Sequence, residues 1–161
     1  MAYPTDGKIG VDVTQVGSSA LFTLGTTTTG TQGASWLYAC AEGSINNGAC
    51  VLVRPSGLAT QVAIALLSAA PGQIAFAVTL LAASQYAWFQ TGGDPMNIRV
   101  ISANPGAQLF TSNTPGALQG DVDTLSQYLI LGVQNAPTTA TGTTVMPSCS
   151  AMFPHFIRYE N

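Results

Sequence analysis

The chain has 161 residues, of which 4 are Lys or Arg and 7 are Asp or Glu, giving a net charge of −3 and a charged fraction of only 7%. Average domains carry about a quarter charged residues, so a surface this poor in charge has little protection against association and implies burial against partners. The scarcity of cations argues against nucleic acid as a partner, because phosphate-backbone affinity rests on many Lys and Arg contacts, and Lys8, Arg54, Arg99 and Arg158 form no patch in sequence.

In chain order, residues 1–24 mix polar and apolar positions. Ile9, Val11 and Val13 alternate briefly before Gly17 and Ala20-Leu21-Phe22, which predicts an extended arm with one short strand. Residues 23–33 are almost wholly Thr, Gly and Gln, including Thr26, Thr27, Thr28 and Thr29. β-Branched Thr opposes helix and Gly opposes a rigid strand, so the segment reads as an extended loop or as one that orders against something else. The expected organisation is an arm and Thr-rich loop over 1–33, followed by a single β-domain over 34–161.

The centre alternates strands with turns. A strand over 36–41 leads to the turn Asn46-Asn47-Gly48, a strand over 49–53 to the turn Arg54-Pro55-Ser56-Gly57, and a strand over 58–65 follows. Residues 62–83 are free of charged side chains over a length that could cross a bilayer, but Pro71-Gly72-Gln73 divides them, so no membrane helix is expected. Further strands are predicted at 74–81, 85–90 and 97–102, the last two separated by the turn signal Gly92-Gly93-Asp94-Pro95. A late strand at 128–133, a second Thr-rich loop at 137–144 and a terminal strand at 150–159 complete the chain. Residues 122–131 are ambiguous, and no strong helix signal occurs. Short strands at intervals of about 8–12 residues mark a compact antiparallel β-barrel or β-sandwich. Residues 47–58 and 105–118 also share one order, a turn, a strand, a Gly/Pro turn and a return strand, which is a faint repeat that ordinary hairpin chemistry explains equally well.

Cys40, Cys50 and Cys149 are odd in number and lack CxxC spacing, which fits reduced, buried thiols better than a disulfide framework, although Cys40 and Cys50 could face each other across a hairpin. The first residues show no basic region followed by an apolar run, so no secretory signal is expected. No Asn-x-Ser/Thr acceptor occurs, since Asn113-Thr114 is followed by Pro115 and not by a hydroxyl residue.

The residues that could carry catalytic chemistry lack the partners it needs. Gly25 and Gly30 have phosphate-loop spacing, but Thr31-Gln32 stand where that motif needs a cation. No Gly-x-Ser-x-Gly elbow is present, so Ser44 and Ser56 read as turn serines. His155, the lone histidine, lies between Pro154 and Phe156 and reads as packed or interfacial, with no orienting partner evident. The cysteines and histidine lack zinc spacing. Asp121-Val122-Asp123 lacks the Gly and distal Glu of a calcium loop, and Glu42 and Asp94 read as turn acids. No metal, no cofactor and no enzymatic activity are therefore expected. Trp36, Tyr38, Tyr86, Trp88 and Phe89 read as packing residues of strands. Because Trp88 and Phe89 are adjacent they must point to opposite faces, which predicts that one of them meets a neighbouring subunit.

Taken in order, Ala20-Leu21-Phe22-Thr23-Leu24-Gly25-Thr26-Thr27, Trp36-Leu37-Tyr38-Ala39, Tyr86-Ala87-Trp88-Phe89-Gln90 and Ala107-Gln108-Leu109-Phe110-Thr111 resemble the layout of the decoration, or cement, proteins of tailed-bacteriophage heads, across most of residues 20–134. The resemblance implies a homo-oligomer, commonly a trimer at three-fold positions, that is made in the host cytoplasm and sits on the capsid exterior of the virion. Its partner there is the major capsid protein, whose adjacent subunits it clamps. Many copies on a symmetric lattice can each contribute a modest interface. On this reading Thr23, Thr26, Thr27, Thr28 and Thr29 are the candidate arm contacts, since a hydroxyl-rich strand can extend a neighbouring sheet edge. Trp88, Phe89, His155 and Phe156 are the other candidate capsid or subunit contacts. The alternative is a tail or fibre module that binds a host-surface glycan through exposed Trp or Tyr. A small hydrolase is a third class, disfavoured by the missing acid/base constellation.

Overall fold

The computed structural model describes residues 11–30, 33–63, 71–120, 128–134 and 148–158. Ten strands occur along them: β1 (Thr27–Thr29), β2 (Ser35–Ala41), β3 (Cys50–Val53), β4 (Leu58–Gln61), β5 (Gln73–Ala77), β6 (Tyr86–Asn97), β7 (Leu109–Thr111), β8 (Leu118–Gln119), β9 (Tyr128–Gln134) and β10 (Ser148–Arg158). The fold is thus mainly β, as the spacing of strand and turn signals predicts.

Strands β2, β4, β3, β5 and β6 lie side by side in that order, and β2 also pairs with β6, so the sheet closes into a five-stranded barrel. Strand β1 adds to the barrel wall by antiparallel pairing with the first half of β2. A barrel of five strands has less room than one of about eight strands, which is just wide enough to fill with ordinary side chains. The sequence meets this limit with alanine. Ala39, Ala41, Ala49, Ala59, Ala75, Ala77 and Ala87 line the interior beside Leu37, Ile45, Val51, Val53, Leu81 and Phe89. The register sets small against small or small against large, with Ala39 opposite Ala87, Ala41 opposite Ala59, and Ala77 opposite Phe89.

Side chains alternate in and out along each strand, so the outward face of the wall needs its own cover. On β3 and β5 the outward residues Cys50, Leu52, Ile74 and Phe76 pack into a second core with Ile98, Val100, Leu109, Leu118 and Ile130. That explains why these two strands read as continuous apolar runs: they are buried on both faces. The second core is completed by β7, β8 and β9, by the segment after β6 and by Val62 after β4.

The two halves of the chain share one connectivity. In the first half the strand order is β4-β3-β5-β6, every neighbouring pair antiparallel. In the second it is β8-β7-β9-β10, again antiparallel throughout. The strand that precedes each unit also behaves alike. Strand β2 pairs antiparallel with β6 and parallel with β4, while the far half of β6 pairs antiparallel with β10 and the following Val100 bridges Leu118 in parallel. The faint repeat therefore marks two hairpins, β3–β4 and β7–β8, in equivalent places. Their turn glycines correspond too: Gly48 and Gly57 have φ of 72° and 79°, Gly106 and Gly116 of 73° and 75°.

Strand β6 belongs to both halves, and here the expectation of a turn at Gly92-Gly93-Asp94-Pro95 is corrected. The chain runs straight through as one 12-residue strand. Its register shifts where Gly92 faces Ser35, and Gly93 adopts φ of 107°. A Cβ at Gly93 would lie 2.5 Å from the Ala34 Cα, so only glycine lets the two backbones approach while the strand changes partners from β2 to β10. Two other strands are shorter than expected. β5 ends at Ala77, after which Leu81 makes an isolated bridge to Ile45, and residues 98–102 form no strand beyond the bridge at Val100.

Candidate functional site

Residues 11–30 carry most of the predicted contact residues, and their position follows from the barrel's remaining uncovered face. Strands β2 and β6 point Tyr38, Tyr86 and Trp88 outward. Phe22 closes over them, 5.2 Å from the Tyr38 ring in an edge-on contact and 5.3 Å from Trp88, while Tyr38 lies 5.1 Å from Trp88. The arm is tied down by backbone bonds as well. Gly17 and Tyr86 exchange both N–H to O bonds at 3.0 and 2.9 Å, and the Leu21 N–H donates to the Tyr38 hydroxyl at 3.1 Å. Over its described part the expected arm therefore lies along the barrel.

Trp88 and Phe89 do point to opposite faces, but neither meets a neighbour. Trp88 is 1% exposed under Phe22 and Tyr38, and Phe89 is 0% exposed inside the barrel. The expectation that one of them is exposed is corrected: the chain supplies its own cover from residues 11–30. Phe22 is the residue that sequence reasoning missed, and the only signal for it was an aromatic side chain in a polar stretch.

The threonines take two different places. Thr23 sits at a turn in which the Thr26 N–H and hydroxyl both donate to the Thr23 carbonyl, at 3.1 and 2.7 Å. Thr27, Thr28 and Thr29 form β1, opposite Leu37, Trp36 and Ser35 of β2. Thr23, Thr27 and Thr29 are exposed, and Thr26 and Thr28 half-buried. With Ser18, Ser19, Ala20 and the 54%-exposed Leu21 they make an outward-facing strip. No charged residue occurs between Asp12 and Glu42, so this strip is uncharged throughout.

His155 is exposed on β10, opposite Leu131 of β9. Phe156 pairs through its backbone with Ile130, and its side chain lies outside the described residues, as do Asp121-Val122-Asp123 and the Thr-rich loop at 137–144. The structure groups the threonines and Leu21 on one segment and sets His155 on a strand of the second half.

Two polar features complete the surface. Glu42, at the end of β2, accepts two bonds at 3.0 Å from Arg54 in the β3–β4 turn and one from the Thr60 hydroxyl on β4. The Thr60 bond, and the Arg54 charge after it, hold the Glu42 carboxyl below its ordinary value of 4.5. This clasp sits where the barrel closes through the short parallel β2–β4 contact. Glu42 and Arg54 are 12 residues apart and form no motif, so in the sequence they read only as a turn acid and a scattered cation. At the barrel mouth, Leu37, Val53, Arg54, Pro55, Gly57 and Gly72 border an apolar cleft of about 260 Å³. It brings no nucleophile and base together. Among the described residues there is no group of three His, Cys, Asp or Glu side chains able to hold a metal.

Cys40 and Cys50 are both buried and free, and β4 lies between their strands. They do not face each other across a hairpin, which corrects that possibility. Cys50 is fully buried in the second core, and desolvation pushes its thiol well above the ordinary cysteine value.

No protein-family model matches the sequence, and no curated protein matches it.

Proposed function

We propose that the chain is a non-enzymatic structural protein of a tailed-phage virion that lies on the outer surface of the head and clamps adjacent major capsid subunits. The observation that carries this reading is the uncharged outward strip of residues 18–29, which ends in the exposed strand β1. A run of exposed and half-buried residues without charge fits a surface that is covered in its working state. It is held in place before any partner arrives, because Phe22 and Gly17 anchor it to the barrel. Preorganisation of this kind lowers the entropic cost of docking, which suits a protein bound in many copies on a lattice.

The glycan-binding alternative relied on exposed Trp or Tyr. Trp88 and Tyr38 are 1% and 2% exposed and covered by Phe22, so it gains no support from these rings. The test is co-sedimentation with purified, tailless heads assembled from the major capsid protein of the same genome. The expected result is saturable binding at a copy number matching a lattice position. It is weakened by Leu21→Asp or Thr23→Lys, which put charge on the strip without touching the core. Absence from the head pellet, or binding unchanged by both substitutions, overturns the proposal.

A further inference from the structure

We propose that β1 is a self-pairing edge, through which two copies of this chain join antiparallel about a two-fold axis at Thr28. The inference rests on the hydrogen-bond inventory of β1 and is independent of the capsid reading. The Tyr38 N–H donates to the Thr26 carbonyl at 2.8 Å, and the Gly30 N–H to the Ala34 carbonyl at 2.8 Å. Hydrogen-bonded residues alternate along an antiparallel ladder, so the Thr26 carbonyl, the backbone groups of Thr28 and the Gly30 N–H turn toward β2. Thr27 and Thr29 turn theirs away. Both are exposed, and their outward N–H and C=O groups bond to no other described residue.

Those four groups are self-complementary. When a second β1 is set antiparallel with Thr28 opposite Thr28, each Thr27 faces the partner's Thr29. Each such pair exchanges two bonds, and the four bonds use every outward donor and acceptor of both copies. The side chains agree with this register, since Thr beside Thr across strands is favourable and no like charges meet. Proteins ordinarily protect an open edge with Lys, Pro or an inward charge, and from Val13 to Ala41 this chain has none of the three. A three-residue edge is small against the ~800 Å² per partner of a standard interface, so the dimer is concentration-dependent in isolation and gains from any array that holds copies close.

Sedimentation velocity over a concentration series, with disulfide trapping, tests this. The wild-type chain is expected to move from monomer to dimer. Thr29→Pro removes one outward donor per copy while leaving every bond to β2, and is expected to weaken the dimer by about tenfold or more. Thr29→Val keeps the backbone donor and should leave affinity within about threefold. Thr28→Cys places the two sulfur-bearing residues at a non-hydrogen-bonded pair, where Cα atoms lie about 4.5 Å apart, within disulfide reach. Oxidised glutathione should cross-link it, and should not cross-link Thr27→Cys or the wild-type chain. Circular dichroism and thermal melting of each variant confirm that it is folded. A folded wild-type chain that stays monomeric, a Thr29→Pro variant that still dimerises, or equal cross-linking at positions 27 and 28 would each overturn the proposal.

Discussion

Phe22→Ala removes the lid from the outward aromatic face and exposes Trp88 and Tyr38 to water. Removing a fully buried Phe costs about 3–5 kcal/mol. Phe22 is half-buried, so roughly half of that applies, about 2 kcal/mol, and the lost ring contacts with Tyr38 and Trp88 add up to about 1 kcal/mol. The expected loss is about 2–3 kcal/mol, or a fall in Tm of roughly 5–10 °C for a chain of this length. Urea unfolding gives the free energy and tryptophan emission gives the location. Trp88 is 1% exposed in the native protein, so its emission should shift to the red in the folded variant, while half-buried Trp36 changes little. Phe22→Leu, which keeps an apolar lid, should recover part of the stability. A loss below about 0.5 kcal/mol, the range of ordinary surface substitutions, with unshifted emission would refute the role assigned to the arm.

Three further outcomes follow from the geometry. Gly116→Ala should destabilise by about 2–3 kcal/mol and Gly106→Ala by about 1 kcal/mol, because both need positive φ but only at Gly116 would a Cβ fall 2.7 Å from Ala49 Cβ; equal losses in urea unfolding would count against this. Glu42 has its carboxyl lowered by Thr60 and Arg54, so the clasp's contribution is complete above the unfolded-state value near 4.5 and lost as pH falls through the lower folded value. Glu42→Gln should therefore flatten the acid limb of Tm against pH, the more so at low salt because the group is exposed, and an unaltered limb would contradict it. Cys50, fully buried with its thiol pushed up, should resist iodoacetamide until urea unfolds the chain, as peptide mass spectrometry can follow; rapid native labelling at Cys50 would show that the second core opens.

The barrel's local parts were legible because turn chemistry is local. Asn46-Asn47-Gly48 and Arg54-Pro55-Ser56-Gly57 both bracket strands as expected, and strands over 49–53 and from 74 onward are found as β3 and β5. What stayed hidden was relation at a distance. Gly92-Gly93 has the composition of a turn, and only the approach of Ala34 makes a strand run through it. Adjacent Trp88 and Phe89 were rightly assigned opposite faces, yet nothing in the sequence revealed that Phe22, far upstream, covers one of them. The Glu42–Arg54–Thr60 clasp is assembled by strand pairing across β2 and β4 and has no spacing of its own.

Closure explains how so little charge is tolerated. A sheet that closes on itself leaves no row of unpaired backbone groups, and so needs few charged residues to prevent edge-to-edge association. The first half meets this condition by pairing β2 with β6, and the repeated connectivity of the second half covers the outward apolar face of β3 and β5. Residues 11–30 cover the aromatic face of β2 and β6. Strand β1 is different: it lies at one end of the strand order, carries outward groups at Thr27 and Thr29, and sits in the uncharged stretch between Asp12 and Glu42. Along β3 and β5 the lack of charge goes with burial on both faces. At β1 it leaves an edge open to another strand, and that is why association should begin there.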